Sequence, residues 1–195
     1  MTQISPLSNV LKKGLFGDYE DKNENNLIKI NERNNLLIFQ IVQYKNSSLN
    51  IKDIVIDGLK MNHESLNVIC NNHTRILWNG PKNWLLVSNK KEIKEEIIKI
   101  FNQTDFAITD LSHSRAIIEI EGENSKEILK KGCPYNFNEL NNNMCVNSVF
   151  NGITITIDML EENPKKIRLF VLRSFGESLY ESISDACLEY GYKSE

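Results

Sequence analysis

Asp110-Leu111-Ser112-His113-Ser114 places a carboxylate, two hydroxyls and an imidazole side by side, the groups a hydrolase uses for nucleophilic attack. Neighbours on an extended strand point to alternate faces, however, and cannot all converge on one atom. The expected role of Asp110 and Ser112 is to hydrogen-bond a tight connection between strands. Cys70-Asn71-Asn72-His73, with His63 nearby, has the spacing of half a zinc site. A structural site needs four ligands, and only His113 and the distant Cys133, Cys145 and Cys187 remain, so a polar loop is the favoured reading. Cys133 lies between Gly132 and Pro134 just after a helix end. The negative end of the helix dipole disfavours a thiolate there, which leaves a small buried apolar residue. Phosphate-binding patterns of the GxGxxG or GxxxxGK[ST] type are absent from the sequence. Lys12-Lys13 and Lys90-Lys91 are isolated pairs rather than a nucleic-acid face. The chain has only five arginines, yet Arg115 and Arg173 each sit at a strand end. That placement suits recognition of a carboxylate or a backbone carbonyl, and equally a surface arginine flanking a strand.

These residues must be held by elements that the apolar spacing predicts. Leu36 to Val42 is a β-branched run of the buried-strand kind. Ser48 to Leu59 has near-helical apolar spacing, with Ser48 as N-cap, and residues 60–74 read as loop. Arg75 to Trp78 and Trp84 to Val87 read as strands about an Asn79-Gly80-Pro81 turn. Ile93, Ile97 and Phe101 stripe a helix over Lys91 to Phe101, and Phe106 to Leu111 is a further strand. In the second half, Ala116, Ile118 and Ile120 alternate with Ile117, Glu119 and Glu121, a strand with one wetter face. Ser125 to Lys131 is a short helix with Gly132 placed for a left-handed C-cap. Asn151-Gly152 between two strand patterns predicts a hairpin, with Ile153, Ile155, Ile157 and Met159 inward and Thr154, Thr156 and Asp158 outward. Ile167 to Leu172 is a strand, and Phe175, Leu179, Ile183, Ala186 and Tyr190 stripe the last helix. The expected class is α+β, as two tandem ferredoxin-like βαββαβ halves. Residues 1–26 read as a flexible arm, 27–111 as the first half and 112–195 as the second, the halves packed as one unit. Protease is expected to trim the arm from the isolated chain but not from an assembly.

The composition, 41% hydrophobic and 25% charged with net charge −3, is that of a globular protein without electrostatic pull toward nucleic acid or anionic membrane. Neither a signal peptide nor a membrane-length apolar run is visible, and four cysteines without CxxC spacing fit a reducing compartment. The expected location is cytoplasmic.

Four segments in order, Gly80-Pro81-Lys82-Asn83-Trp84-Leu85-Leu86-Val87, Asp110 to Arg115, Lys131-Gly132-Cys133-Pro134 and Arg173-Ser174-Phe175, resemble the motifs of the sarcosine oxidase gamma-subunit family. The matching residues are Gly80, Pro81, Trp84, Asp110, Ser112, Arg115, Gly132, Cys133, Arg173 and Ser174, and the likeness covers about Ile76 to Tyr192. That family is in turn similar to the folate-binding glycine-cleavage T-protein. Where the T-protein carries acidic residues in a hairpin after Gly-Ile, this chain reads Gly152-Ile153-Thr154-Ile155-Thr156, and only a register shift would bring in Asp158. The resemblance implies a non-catalytic subunit of a heterotetramer that demethylates sarcosine to glycine with O2. FAD, FMN, NAD and tetrahydrofolate would sit on partner subunits, with no cofactor or metal on this chain, and the large alpha subunit would be the chief partner. The motif residues are then structural or interfacial, with an apolar patch expected on the first strand group or around Trp84. A stand-alone folate-binding protein, or the equivalent subunit of an N-methylglutamate dehydrogenase complex, are the alternatives.

Overall fold

The structure is a computed structural model and describes residues 5–194. In chain order it forms β1 (Gly14–Phe16), β2 (Ile28–Glu32), β3 (Leu37–Gln43), β4 (Val55–Ile56), β5 (Leu59–Lys60), β6 (Val68–Cys70), β7 (Thr74–Gly80) and β8 (Asn83–Ser88). Helix α1 (Ile93–Ile100) leads to β9 (Phe106–Asp110) and β10 (Arg115–Glu121). Helix α2 (Ser125–Lys130) precedes β11 (Cys145–Phe150), β12 (Ile153–Glu162) and β13 (Lys165–Leu172), and α3 (Gly176–Cys187) precedes β14 (Tyr192–Ser194). The class is α+β, rich in strands.

Contacts divide the chain into two units, and the divisions do not fall at 26/27 and 111/112. One unit gathers Met1–Asn34, Ser114–Asn142 and Val146–Glu195; the other holds Asn35–His113 and Asn143–Cys145. Backbone pairing is the reason. β2 pairs antiparallel with β10, and β1 with β14, so the first part of the chain joins the sheet built from the last part. The expected flexible arm is therefore held at Leu7 and β1, while residues 20–26 are exposed and residues 1–4 lie outside the described residues. Leu7 has no exposed surface and the Phe16 ring stacks on Tyr192 at 5.1 Å.

In that first unit the described strands form one sheet, β1-β14-β2-β10-β13-β12-β11, antiparallel except where β14 runs parallel to β2. Ala116, Ile118 and Ile120 of β10, with Ile167, Leu169 and Val171 of β13, are all buried on one face. α2 and α3 pack on that face. The approach is close enough that a Cβ on Gly176 would lie 2.8 Å from the Ala116 Cβ. Full burial of each such Ile or Leu contributes roughly 1.5–3 kcal/mol. Along β12, Ile155, Ile157 and Met159 are buried as their alternation predicts. The turn joining β11 to β12 places Asn151 and Gly152 at φ +47° and +84°, the left-handed pair that a two-residue hairpin demands.

In the second unit the sheet runs β6-β7-β8-β3-β9, antiparallel throughout. Phe39, Ile41, Trp84 and Leu86 from its strands share a core with Ile93 and Ile97 of α1. The helix expected over Ser48 to Leu59 does not form. Asn50, not Ser48, caps a single 3-10 turn by accepting from the Lys52 N–H, and the chain then folds into the β4–β5 hairpin about Asp57 and Gly58, at φ +49° and +76°. Ile51, Ile56, Leu59 and Met61 still enter the same core, with Ile54 packed against it. The βαββαβ order expected for residues 27–111 thus lacks its first α-helix. The loop expected over 60–74 holds β6, paired with β7.

Candidate functional site

Asp110 and Ser112 form a lock at the end of β9. The buried Ser112 Oγ donates to Asp110 Oδ1 at 2.6 Å and accepts from the Ile38 N–H at 3.0 Å. Asp110 Oδ1 also accepts from the Ser112 N–H at 3.0 Å, and Lys94 Nζ stands 3.6 Å from its other oxygen. Burial raises the Asp110 pKa, but the Ser112 hydrogen bonds and Lys94 outweigh it and hold the carboxyl below its ordinary value. The Ser112 hydroxyl is thus committed as both donor and acceptor, and His113 is exposed.

The Arg115 and Arg173 segments meet. Arg115 lies opposite Leu172 in the β10–β13 ladder, and the Arg173 N–H donates to the Ser114 C=O at 2.9 Å. The Arg115 guanidinium is half-buried and reaches the Ser114 C=O and Oγ, each at 3.4 Å; burial alone pulls its pKa down. Ser174 is exposed, and Leu172 and Phe175 beside it are 46% and 48% exposed.

Gly132 and Cys133 sit beneath the β11–β12 hairpin. Gly132 accepts from the Asn151 N–H at 2.9 Å, and Cys133 Sγ lies 3.1 Å from Ser148 Oγ. The left-handed C-cap expected at Gly132 is not used, since its φ is not positive. Glycine is needed there for space: a Cβ would fall 2.6 Å from Asn151 Oδ1 and 3.0 Å from the Phe150 ring.

Gly80 and the exposed Pro81 enter the β7–β8 turn, with Lys82 at φ +56°. Trp84 does not lie in an exposed apolar patch, because it is 2% exposed in the core. Its Nε1–H donates to the Asn62 C=O at 2.9 Å and its ring meets His63 at 5.6 Å.

Two charge clusters escaped the sequence reading. Glu119, expected on the wetter face of β10, is 2% exposed. It accepts from Arg33 Nε at 2.7 Å and from Arg168 Nε and Nη2 at 2.9 and 2.7 Å, with Lys166 at 3.8 Å. Burial pushes its pKa up, and Arg168 and Arg33 together drive it below the ordinary value. Asp158, expected outward, is likewise fully buried, opposite Arg168 in the ladder. In the other unit, burial raises the Asp57 pKa, but hydrogen bonds from Lys90, Thr74 and Asn71 bring it down to about 2. One signal was there in sequence: Asp57-Gly58 is a hairpin dipeptide.

A groove of about 700 Å³ lies between α1 and β9, lined by Phe39, Lys94, Ile97, Phe101, Ile108 and Asp110 among others. Its rim carries Ile98, 67% exposed, and Tyr44, 42% exposed. The half zinc pattern does not converge: Cys70 Sγ donates to Asn143 Oδ1 at 3.2 Å, while His73 Nδ1 pairs with Asn89 at 3.2 Å. No group of three potential metal ligands occurs among the described residues, and none of their helices is long and apolar enough to cross a membrane. The Cys187 thiol is pushed up to about 12 by burial.

Residues 54–189 match the family model described as sarcosine oxidase, gamma subunit family. No curated protein sequence matches the chain. Among solved structures, a chain of the heterotetrameric sarcosine oxidase from Corynebacterium sp. U-96, in complex with pyrrole 2-carboxylate, aligns with TM-score 0.77 and 19% identity over 87% of each chain. The glycine cleavage system aminomethyltransferase T from Bartonella henselae aligns with TM-score 0.56 and 8% identity, covering 86% of this chain. This chain spans 47% of that enzyme's length. The fold is thus similar to that of the T-protein.

Proposed function

Because this chain belongs to the sarcosine oxidase gamma subunit family, we propose that it is the small, non-catalytic subunit of a cytoplasmic heterotetramer that demethylates sarcosine with O2. The observation that carries this reading is the family match over residues 54–189, which includes all four motif segments. The chemistry-bearing side chains support the non-catalytic part. Ser112 is bound to Asp110 and Ile38, Glu119 is neutralised by two arginines, and the Cys187 thiol is held protonated by burial. In this reading the flavins, NAD and tetrahydrofolate belong to partner subunits, chiefly the large alpha subunit. Gly80, Pro81, Trp84, Asp110, Ser112, Arg115, Gly132, Cys133, Arg173 and Ser174 shape the fold and its interfaces.

The test is co-expression with the native partner subunits. A yellow complex that retains this chain and oxidises sarcosine bears the reading out. A colourless chain that purifies alone overturns it, and turnover of N-methylglutamate instead of sarcosine would move the chain to the other class of complex.

A further inference from the structure

In the unit holding Asn35–His113, one end of the sheet is open. β9 is its terminal strand beyond β3. The Leu111 N–H donates to the Ile38 C=O and the Tyr44 N–H to the Asp105 C=O, both at 2.8 Å. Antiparallel alternation therefore turns the backbones of Asp105, Ala107, Thr109 and Leu111 toward β3. The N–H and C=O of Ile108 and Asp110, and the C=O of Phe106, face outward and find no partner among the described residues. The Phe106 N–H is taken by the Asn102 C=O at 3.1 Å. Sheets that stand free guard such an edge with lysine, proline or a bulge. Phe106-Ala107-Ile108-Thr109-Asp110 carries none of these, and its one charge, Asp110, faces Lys94.

The groove of about 700 Å³ runs beside this edge. Its floor is continuous with the core through Phe39, Ile97, Phe101 and Phe106, and Ile108 packs against the same cluster. Ile98, the most exposed of the large apolar side chains, stands on its rim. The charges that line it, Lys94 and Asp110, face each other at 3.6 Å, so the groove presents no uncompensated charge.

We infer that this groove receives an extended, uncharged segment of a larger partner chain, added beside β9 as a further strand. The inference rests on the subunit reading above. Outward groups repeating every second residue match the backbone of a strand; a helix has its own N–H and C=O groups already bonded. Alternate side chains of the incoming strand would close over Ile98 and Ile108. The compensated rim suits apolar or neutral side chains, because a buried lysine or glutamate would find no counter-charge.

The test uses the full chain co-expressed with the flavin-bearing subunits. Amide hydrogen exchange at Ile108 and Asp110 is expected to slow sharply on assembly, relative to the isolated chain. Ile108→Pro removes an outward N–H and leaves the bonds to β3; Ile98→Lys puts a charge into the groove. Both are expected to keep the isolated chain folded and to cut its retention in the complex about tenfold or more, the 1.4 kcal/mol scale of one lost interface anchor. If Ile108→Pro misfolds, Ile98→Lys alone carries the test, since an exposed position tolerates lysine. Wild-type retention of both variants, with unchanged exchange at β9, overturns the groove and leaves the subunit reading standing. Failure of the wild type to bind the flavoprotein removes both. Loss of self-association of the isolated chain in the variants would make a second copy the occupant and overturn the partner-strand proposal.

Discussion

Replacing Glu119 by Gln should destabilise the isolated chain by about 1–3 kcal/mol, the cost of weakening charged hydrogen bonds to a buried cation. Arg168 is the main reason, since its side chain is only 13% exposed and its Nε and Nη2 both donate to Glu119, with Asp158 opposite it in the ladder; Arg33 is about half exposed and can turn to water. A urea titration reads the difference. The same carboxylate sets an acid limit. Its folded pKa is depressed, so its stabilisation is present above the ordinary glutamate value and is lost as pH falls through the folded value. Asp57 acts in the same sense in the other unit, with a folded value of about 2 against the usual 3.8. Unfolding free energy should therefore decline between about pH 4 and pH 2. Asp57→Asn should flatten the part of that decline owed to the Lys90 pair.

At the scale of elements, the N-terminal segment gives the sharpest expectation. Leu7 has no exposed surface and the Asp18 N–H donates to the Leu188 C=O at 2.8 Å. Limited proteolysis of the isolated chain should leave residues 7–18 attached, and Leu7→Ala should cost about 2–5 kcal/mol. The sequence hid this because the strand that pairs with this segment lies at the far end of the chain. Local spacing also misleads at Ser48 to Leu59: Leu49, Ile51, Ile54, Val55 and Leu59 lie near helical spacing, but Asp57-Gly58 turns the chain into a short hairpin. Elements with dense local signals were legible. Asn151-Gly152 placed β11 and β12, and the Ile93, Ile97 and Phe101 stripe placed α1. Of the motif residues, the Asp110–Ser112 tie followed from side chains that bond nearby backbone. Glu119 and Asp158 did not follow, because alternation reports which residues share a face and not whether that face is wet. The groove beside β9 was hidden because the α1 stripe marks Ile97 as core but not which strand Ile98 stands beside.

Across the whole molecule, the pairing of β1 with β14 joins positions separated by nearly the full chain, and β2 reaches β10 across the whole of the other unit. Closing loops of that length costs entropy before any contact compensates, so such pairs form late and the chain should refold on a milliseconds-to-seconds scale or slower. Phe16 tests the order of events. Its ring is half-buried against Tyr192 at 5.1 Å, so Phe16→Ala removes packing without emptying a core position. The expected loss is about 2 kcal/mol, below the range for a fully buried phenylalanine. If the β1–β14 pair forms after the rate-limiting step, that loss falls on unfolding, which should quicken roughly 30-fold while refolding stays unchanged. Stopped-flow measurement of both limbs in denaturant distinguishes the cases. A refolding rate slowed by the same factor would place the joining of the two chain ends inside the folding nucleus, and the N-terminal strand would then nucleate the sheet that it otherwise completes.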